Sequence, residues 1–161
     1  MIEDPKIKEI FIYTDGSCHT QKRVGAWAAI LIIDKNEIIL QGNEIETTHN
    51  RMELLGVIKA IEYIIKNHQK SSNIQLITDS QYVIGIPERA QKLSANDFIT
   101  KKGNALHNAD LIKTLMKLLI ELPVSFNKIK AHQKEGDAIN FNIVADKISR
   151  SIVRDLVKNM E

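Results

Sequence analysis

The chain has 161 residues, of which 43% are apolar and 26% charged, the balance of a folded globular protein rather than a disordered one. Its one cysteine, Cys18, excludes a disulfide scaffold and a cysteine-built zinc site and points to a reducing compartment. Lys and Arg number 22 against 20 Asp and Glu, a net charge of +2, so a polyanionic partner has to be attracted by local patches rather than by the whole surface. No apolar run reaches the ~18 residues of a membrane span. The N-terminal MIEDPKIKEI has no secretory h-region and carries acids that a transit peptide avoids. The expectation is a cytoplasmic protein with no membrane partner, one domain over residues 1–161, and a monomer, because no partner stripe is visible.

In chain order, EIFIYT (9–14) alternates toward β-rich residues and is expected to stop at Asp15-Gly16. GAWAAILIID (25–34) predicts a second strand, Asp34-Lys35-Asn36 a turn, and EIILQGNEI (37–45) a third strand, together an antiparallel meander. From Asn50 to Asn67 the apolar residues Met52, Leu55, Ile58, Ile61 and Ile65 fall at helical spacing. NIQLIT (73–78) reads as a buried strand, and Ser80 to Ile84 as a short helix that Pro87 closes or restarts. Residues 88–104 are polar and irregular, with helical potential in part. Ala109 to Leu122 is amphipathic, VSFNKIKA (124–131) alternates again, and Ile143 to Lys158 is a closing helix. A meander followed by strands alternating with helices implies an α/β fold with one mixed sheet, its last two strands parallel and helices on its faces. Trp27 lies inside a strand and reads as core.

Four acids fall near the ends of these elements: Asp15 on the first strand, Asp79 after the fourth, Glu53 near the start of the long helix and Asp146 at the start of the last. In open α/β sheets ligands sit where strands finish. Carboxylates brought together there repel one another and take up protons unless a cation intervenes. Mg²⁺ takes hard oxygen ligands, and two such ions clamp the attacking and leaving oxygens of a phosphodiester. Each acid also has a bland explanation. Asp15-Gly16 is turn chemistry, Asn50 and Glu53 have capping-box spacing, Thr48 and Asn50 can each cap the long helix and Asp79-Ser80 the short one, and Asp146 stands four residues before Arg150.

TDGS (14–17), THNRMEL (48–54) and TDSQYV (78–83), in that order on strand, helix and strand, resemble type 1 ribonuclease H. KAHQ (130–133) and NIVAD (142–146) are similar to that family's closing histidine loop and final aspartate. The resemblance runs from about residue 9 to 157. It implies a ribonuclease H-like fold, a five-stranded mixed sheet in order 3-2-1-4-5 flanked by helices. It also implies an endonuclease that hydrolyses the RNA strand of RNA–DNA hybrids by a two-metal-ion mechanism, leaving 5′-phosphate and 3′-hydroxyl ends.

The implied metal ligands for two Mg²⁺, with Mn²⁺ as substitute, are Asp15, Glu53, Asp79 and Asp146. Asp15 bridges both ions, Asp79 and Asp146 hold the nucleophile-side ion, and Glu53 positions the other. His132 corresponds to a mobile-loop histidine that assists proton transfer or product release. Gly16, Ser17, Cys18, Asn50 and Gln81 match RNA-strand contacts, and Thr48 and Asn108 match a pocket for a DNA-strand phosphate. Recognition of RNA requires sensing its 2′-hydroxyl.

The chain also departs from the family pattern. His49 replaces a common Asn, Lys22 and Arg23 stand where glycines are usual, and Ile143 replaces a Glu. The interval between His132 and Asp146 is long, as in reverse-transcriptase-linked members. The family's basic, tryptophan-bearing protrusion has as its counterpart Lys92, Phe98, Lys101, Lys102 and His107. Three other readings share the fold: a hybrid-binding module with weak catalysis, a different nuclease, and a reverse-transcriptase fragment. The four acids count against the first. Gly16-Ser17 after Asp15, in place of an Asp-x-Glu pair, counts against an exonuclease.

Overall fold

The computed structural model describes residues 9–67, 73–95, 107–129 and 140–160. The elements are β1 (Glu9–His19), β2 (Val24–Ile33), β3 (Asn36–Glu44), α1 (His49–Asn67), β4 (Asn73–Thr78), α2 (Gln81–Ser94), α3 (Ala109–Glu121), β5 (Ser125–Lys128) and α4 (Phe141–Asn159). They form a five-stranded sheet in order β3-β2-β1-β4-β5. β1, β2 and β3 are antiparallel neighbours, while β4 runs parallel to both β1 and β5. The mixed α/β sheet expected from the sequence is therefore present.

β2 is buried along nearly its whole length, because helices cover both faces of the sheet. Side chains on a strand alternate between faces. Trp27, Ala29, Leu31 and Ile33 join Ile10, Ile12, Ile74 and Leu76 in a core with α1, α2 and α3. Ala28 and Ile30 face the other way, against Ala145 with Tyr13, Phe141 and Ile148 around them. Trp27 is core, as its place in a strand suggests.

Three expectations need correction. β1 does not stop at Asp15-Gly16 but continues to His19, because its ladder with β2 persists as far as the His19–Val24 pair. Helix α2 is not closed at Pro87; it runs through that residue to Ser94. Proline removes one i→i−4 hydrogen bond, yet Val83, Ile86 and Ala90 are buried on one face, and this packing carries the helix across. Helix α4 begins earlier than Ile143. Asn140 is its N-cap, the side chain accepting from the backbone N–H groups of Asn142 and Ile143, so Asp146 lies in the second turn. The expected Asp34-Lys35 turn is confirmed. Both residues have positive φ (49° and 68°), the type I′ geometry that suits a two-residue hairpin.

Gly42 on β3 lies beneath the indole of Trp27, and a Cβ there would fall 2.7 Å from the ring. Gly42→Ala is expected to destabilise the fold by about 1–3 kcal/mol through overpacking. Urea denaturation followed by the emission of Trp27, the sole tryptophan, reads this directly, and an unchanged midpoint would show that the ring can yield.

Candidate active site

The site arises where the sheet splits. The parallel pairing of β1 with β4 ends at Tyr13–Ile77, while β1 continues alongside β2, with Asp15 opposite Ala28. Asp15 and Asp79 each lie two residues beyond the last β1–β4 pair, one on either side of the opening. Asp15 shares its face of β1 with Tyr13, the face that α4 covers. Gly16 faces α1. A Cβ on Gly16 would lie 2.5 Å from the backbone nitrogen of Glu53 and 2.7 Å from the carbonyl carbon of Met52. Only glycine lets α1 press this close to β1, and that approach sinks Glu53 beside Asp15.

Ligand oxygens of Asp15, Glu53 and Asp79 all lie within 4.8 Å of one another, and Asp146 is within hydrogen-bonding reach of Asp15. All four acids predicted from the sequence meet in one place. Asp15 and Glu53 are buried, at 7% and 2% exposure, while Asp79 is exposed. Burial, then the neighbouring Glu53, Asp146 and Asp79 carboxyls, push the Asp15 carboxyl up to about 9. Burial also raises Glu53, against the hydrogen bond from His49 and the backbone N–H of Gly16. His49 Nε2 lies 3.1 Å from Glu53 Oε1, and this hydrogen bond raises the imidazole above its ordinary value. Glu53 Oε2 is buried with no hydrogen-bond partner among the described residues. An orphaned buried carboxylate oxygen within an all-oxygen cluster of acids fits a hard divalent cation.

The bland explanations fare unequally. Asp15 is mid-strand, not in a turn. Thr48 Oγ1, not Asn50, caps α1 by accepting from Arg51 N at 3.2 Å, which leaves Glu53 free to turn into the site. Ser80 Oγ accepts from Val83 N at 3.2 Å, so Ser80 rather than Asp79 caps α2. The Asp146–Arg150 ion pair does form, at 2.9 Å, and Asp146 still faces the cluster.

A groove of about 1120 Å³ opens from the acids and is lined by Gly16, Ser17, Cys18, Asn50 and Gln81. His49 lines it too. Ser17 Oγ is 2.8 Å from the buried Ser149 Oγ of α4, and Gln81 Oε1 accepts from Lys128 Nζ at 2.6 Å. Thr48 and Asn108 line a separate recess of about 320 Å³, which shares Asn50 and Tyr82 with the groove. Asn108 Nδ2 donates to Tyr82 Oη at 3.2 Å, and its backbone is left-handed, φ 62°.

Two features escaped the sequence reading. Arg89 enters the recess over the Tyr82 ring, 5.8 Å from its centroid, and the residues of α4 beyond Asp146 line the groove. Neither carries a motif; only the unbroken α2 and the placement of α4 bring them in. Lys92 is paired with Glu88, and Arg23, at positive φ, with Glu46. His132, Phe98, Lys101 and Lys102 lie outside the described residues.

A family model described as RNase H matches residues 7–154. The ribonuclease H of Hahella chejuensis is 38% identical over 127 residues, covering 78% of this chain and 83% of that protein. The ribonuclease H of Caldicellulosiruptor saccharolyticus is 31% identical over 152 residues, covering 93% and 99%. Among solved structures, LC9-RNase H1, a type 1 RNase H with the type 2 active-site motif, superposes with a TM-score of 0.76 at 19% identity, over 95% of this chain and 75% of that one. At that identity the superposition speaks for the fold.

The crowded acids carry a consequence for stability. Asp15 has a folded value of about 9 against an ordinary 3.8, so its contribution is complete below the lower value and is lost as pH rises through the upper one. Metal-free parent protein is expected to lose melting temperature over that interval more steeply than Asp15→Asn. Mg²⁺ should raise the parent's melting temperature at alkaline pH and leave the variant nearly unmoved. Scanning calorimetry with chelator and with Mg²⁺ checks both; parallel pH profiles for the two proteins would overturn the electrostatic reading.

Proposed function

The chain belongs to the ribonuclease H family, and we propose that it cuts the RNA strand of RNA–DNA hybrids internally, with Asp15, Glu53, Asp79 and Asp146 as its metal ligands. The observation that carries this reading is the convergence of these acids at the head of an open groove. Asp15 is the central ligand, since it alone is placed against the other three. Two Mg²⁺ ions, or Mn²⁺ in their place, supply when bound the charge that makes water a nucleophile at neutral pH and steadies the phosphate.

The chain's own residues supply position. Gly16, Ser17, Cys18, Asn50 and Gln81 line the groove and present backbone and short polar groups to the 2′-hydroxyls of the RNA strand. Thr48 and Asn108 receive a phosphate of the DNA strand in the neighbouring recess, and Arg89 adds charge there. Glu53 is held by His49 on one oxygen, so its other oxygen is oriented into the cluster. Hydrolysis breaks the P–O3′ bond, the departing oxygen takes a proton, and the ends are a 5′-phosphate and a 3′-hydroxyl. His132 is the group assigned to that proton or to product release.

End-labelled RNA–DNA hybrid, duplex RNA, duplex DNA and single-stranded RNA, each incubated with Mg²⁺ and with Mn²⁺, test the reading. Internal cuts confined to the RNA of the hybrid are expected. Asp15→Asn should fold and lose activity by on the order of a hundredfold or more, because an electrostatic centre of the transition state is removed. Parental rates in that variant would overturn the site. Hybrid binding without cleavage by the parent in either metal would instead establish a binding module.

A further inference from the structure

The groove does not end at the acids. Beyond Asp146 its wall is α4, through Arg150, Val153, Arg154, Val157 and Lys158. The three cations are spaced four residues apart, about 6 Å per step along a helix, a stride commensurate with successive phosphates of one strand. Arg150 is engaged by Asp146. Arg154 and Lys158 have no carboxylate partner among the described residues. Among the described residues, Asp155 is the only acid on this stretch of the wall, against Arg150, Arg154 and Lys158.

The opposite wall is the end of β1, from Gly16 to His19. The Ser17–Ser149 hydrogen bond ties the two walls together and sets their separation. A charged helix face is ordinarily just solvated surface. This one lines a cavity continuous with the acid cluster, with Val153 and Val157 interleaved among the cations, and two of its cations have no carboxylate partner among the described residues.

We propose that Arg154 and Lys158 form a cationic rail for the phosphodiester backbone of the RNA strand as it leads away from the cleavage position. The inference rests on the reading of the groove as the RNA channel: the strand that is cut must lie at the acids, and this wall is where the same groove continues. Phosphate contacts of this kind position a duplex without reading its sequence. The rail therefore sets affinity and register rather than the chemical step.

The test uses the full chain. Hybrid binding is titrated in chelator, where cleavage is suppressed, over a series of salt concentrations, and steady-state cleavage is then measured in Mg²⁺. Arg154→Ala/Lys158→Ala is expected to weaken binding on the order of tenfold and to flatten the log K against log salt slope by about 2, one unit per lost phosphate contact. KM should rise in step with kcat nearly unchanged. Lys117→Ala, deletion of a single charge on the exposed side of α3, should alter neither, and the charge-preserving Arg154→Lys/Lys158→Arg should restore the parent slope. If alanine perturbs α4, as a fall in melting temperature would reveal, Arg154→Gln/Lys158→Gln repeats the test with side-chain length kept.

An unchanged slope and affinity would overturn the rail, as would a loss of kcat with the slope intact. A parent inert toward hybrid in Mg²⁺ and Mn²⁺ would remove the hydrolytic reading instead. The chelator titration would still uphold or overturn the rail.

Discussion

A Cβ on Gly16 would lie 2.5 Å from the backbone of Glu53, and the site is built around the space that this missing carbon leaves. Parity along β1 sends Ile10, Ile12, Thr14 and Gly16 toward α1, so the helix rests on the small end of that row. Thr48 caps the helix, which settles where its first turn begins and thereby where Glu53 falls, one turn further on. Without that close approach the buried Glu53 would stand away from Asp15, and the carboxylates would relax into solvent rather than face one another.

The arrangement is costly to the metal-free protein. Two buried carboxyls held above their ordinary range, one with an orphaned oxygen, are a feature of functional sites rather than of stable cores. Their cost is carried by the rest of the sheet. β2 is covered on both faces, and the parallel β1–β4 pair is fixed by five consecutive partners, Glu9–Asn73 to Tyr13–Ile77, before it parts. The cleft thus opens at the end of a sheet that is otherwise paired and covered.

Charge is distributed to match. The chain as a whole is close to neutral, but its surface near the acids is sorted. Arg89 stands in the recess on the α2–α3 side, and Arg154 and Lys158 stand on the α4 side. Other basic residues are engaged elsewhere: Arg51 makes a bidentate pair with Asp110 at the start of α3, Arg23 meets Glu46 and Lys92 meets Glu88. A polyanion entering the groove meets positive charge on both flanks of a negative centre.

Much of this was legible in one dimension. Alternation and helical spacing are local properties of a chain, so the strands, α1, α3 and the mixed sheet could be read from the residues, and TDGS, THNRMEL, TDSQYV and NIVAD carried the four acids with them. Local signals misplaced other features. The Asp15-Gly16 pair reads as a turn, but pairing with β2 holds it in a strand. Pro87 reads as a stop, but burial of Val83, Ile86 and Ala90 carries α2 past it. Asn50 and Glu53 read as a capping box, but of the two capping candidates, Asn50 and Thr48, it is Thr48 that takes the cap. In the first two cases a long-range contact outweighs a local preference worth about 1–3 kcal/mol; in the third one local contact displaces another. The sequence by itself determined which side chains are available and on which elements. Which of them meet was decided only in three dimensions: the split after Tyr13–Ile77, the closeness of α1 at Gly16 and the line of α4 along the groove join residues far apart in the chain, as Ser17 and Ser149 are, and no local pattern encodes such a distance.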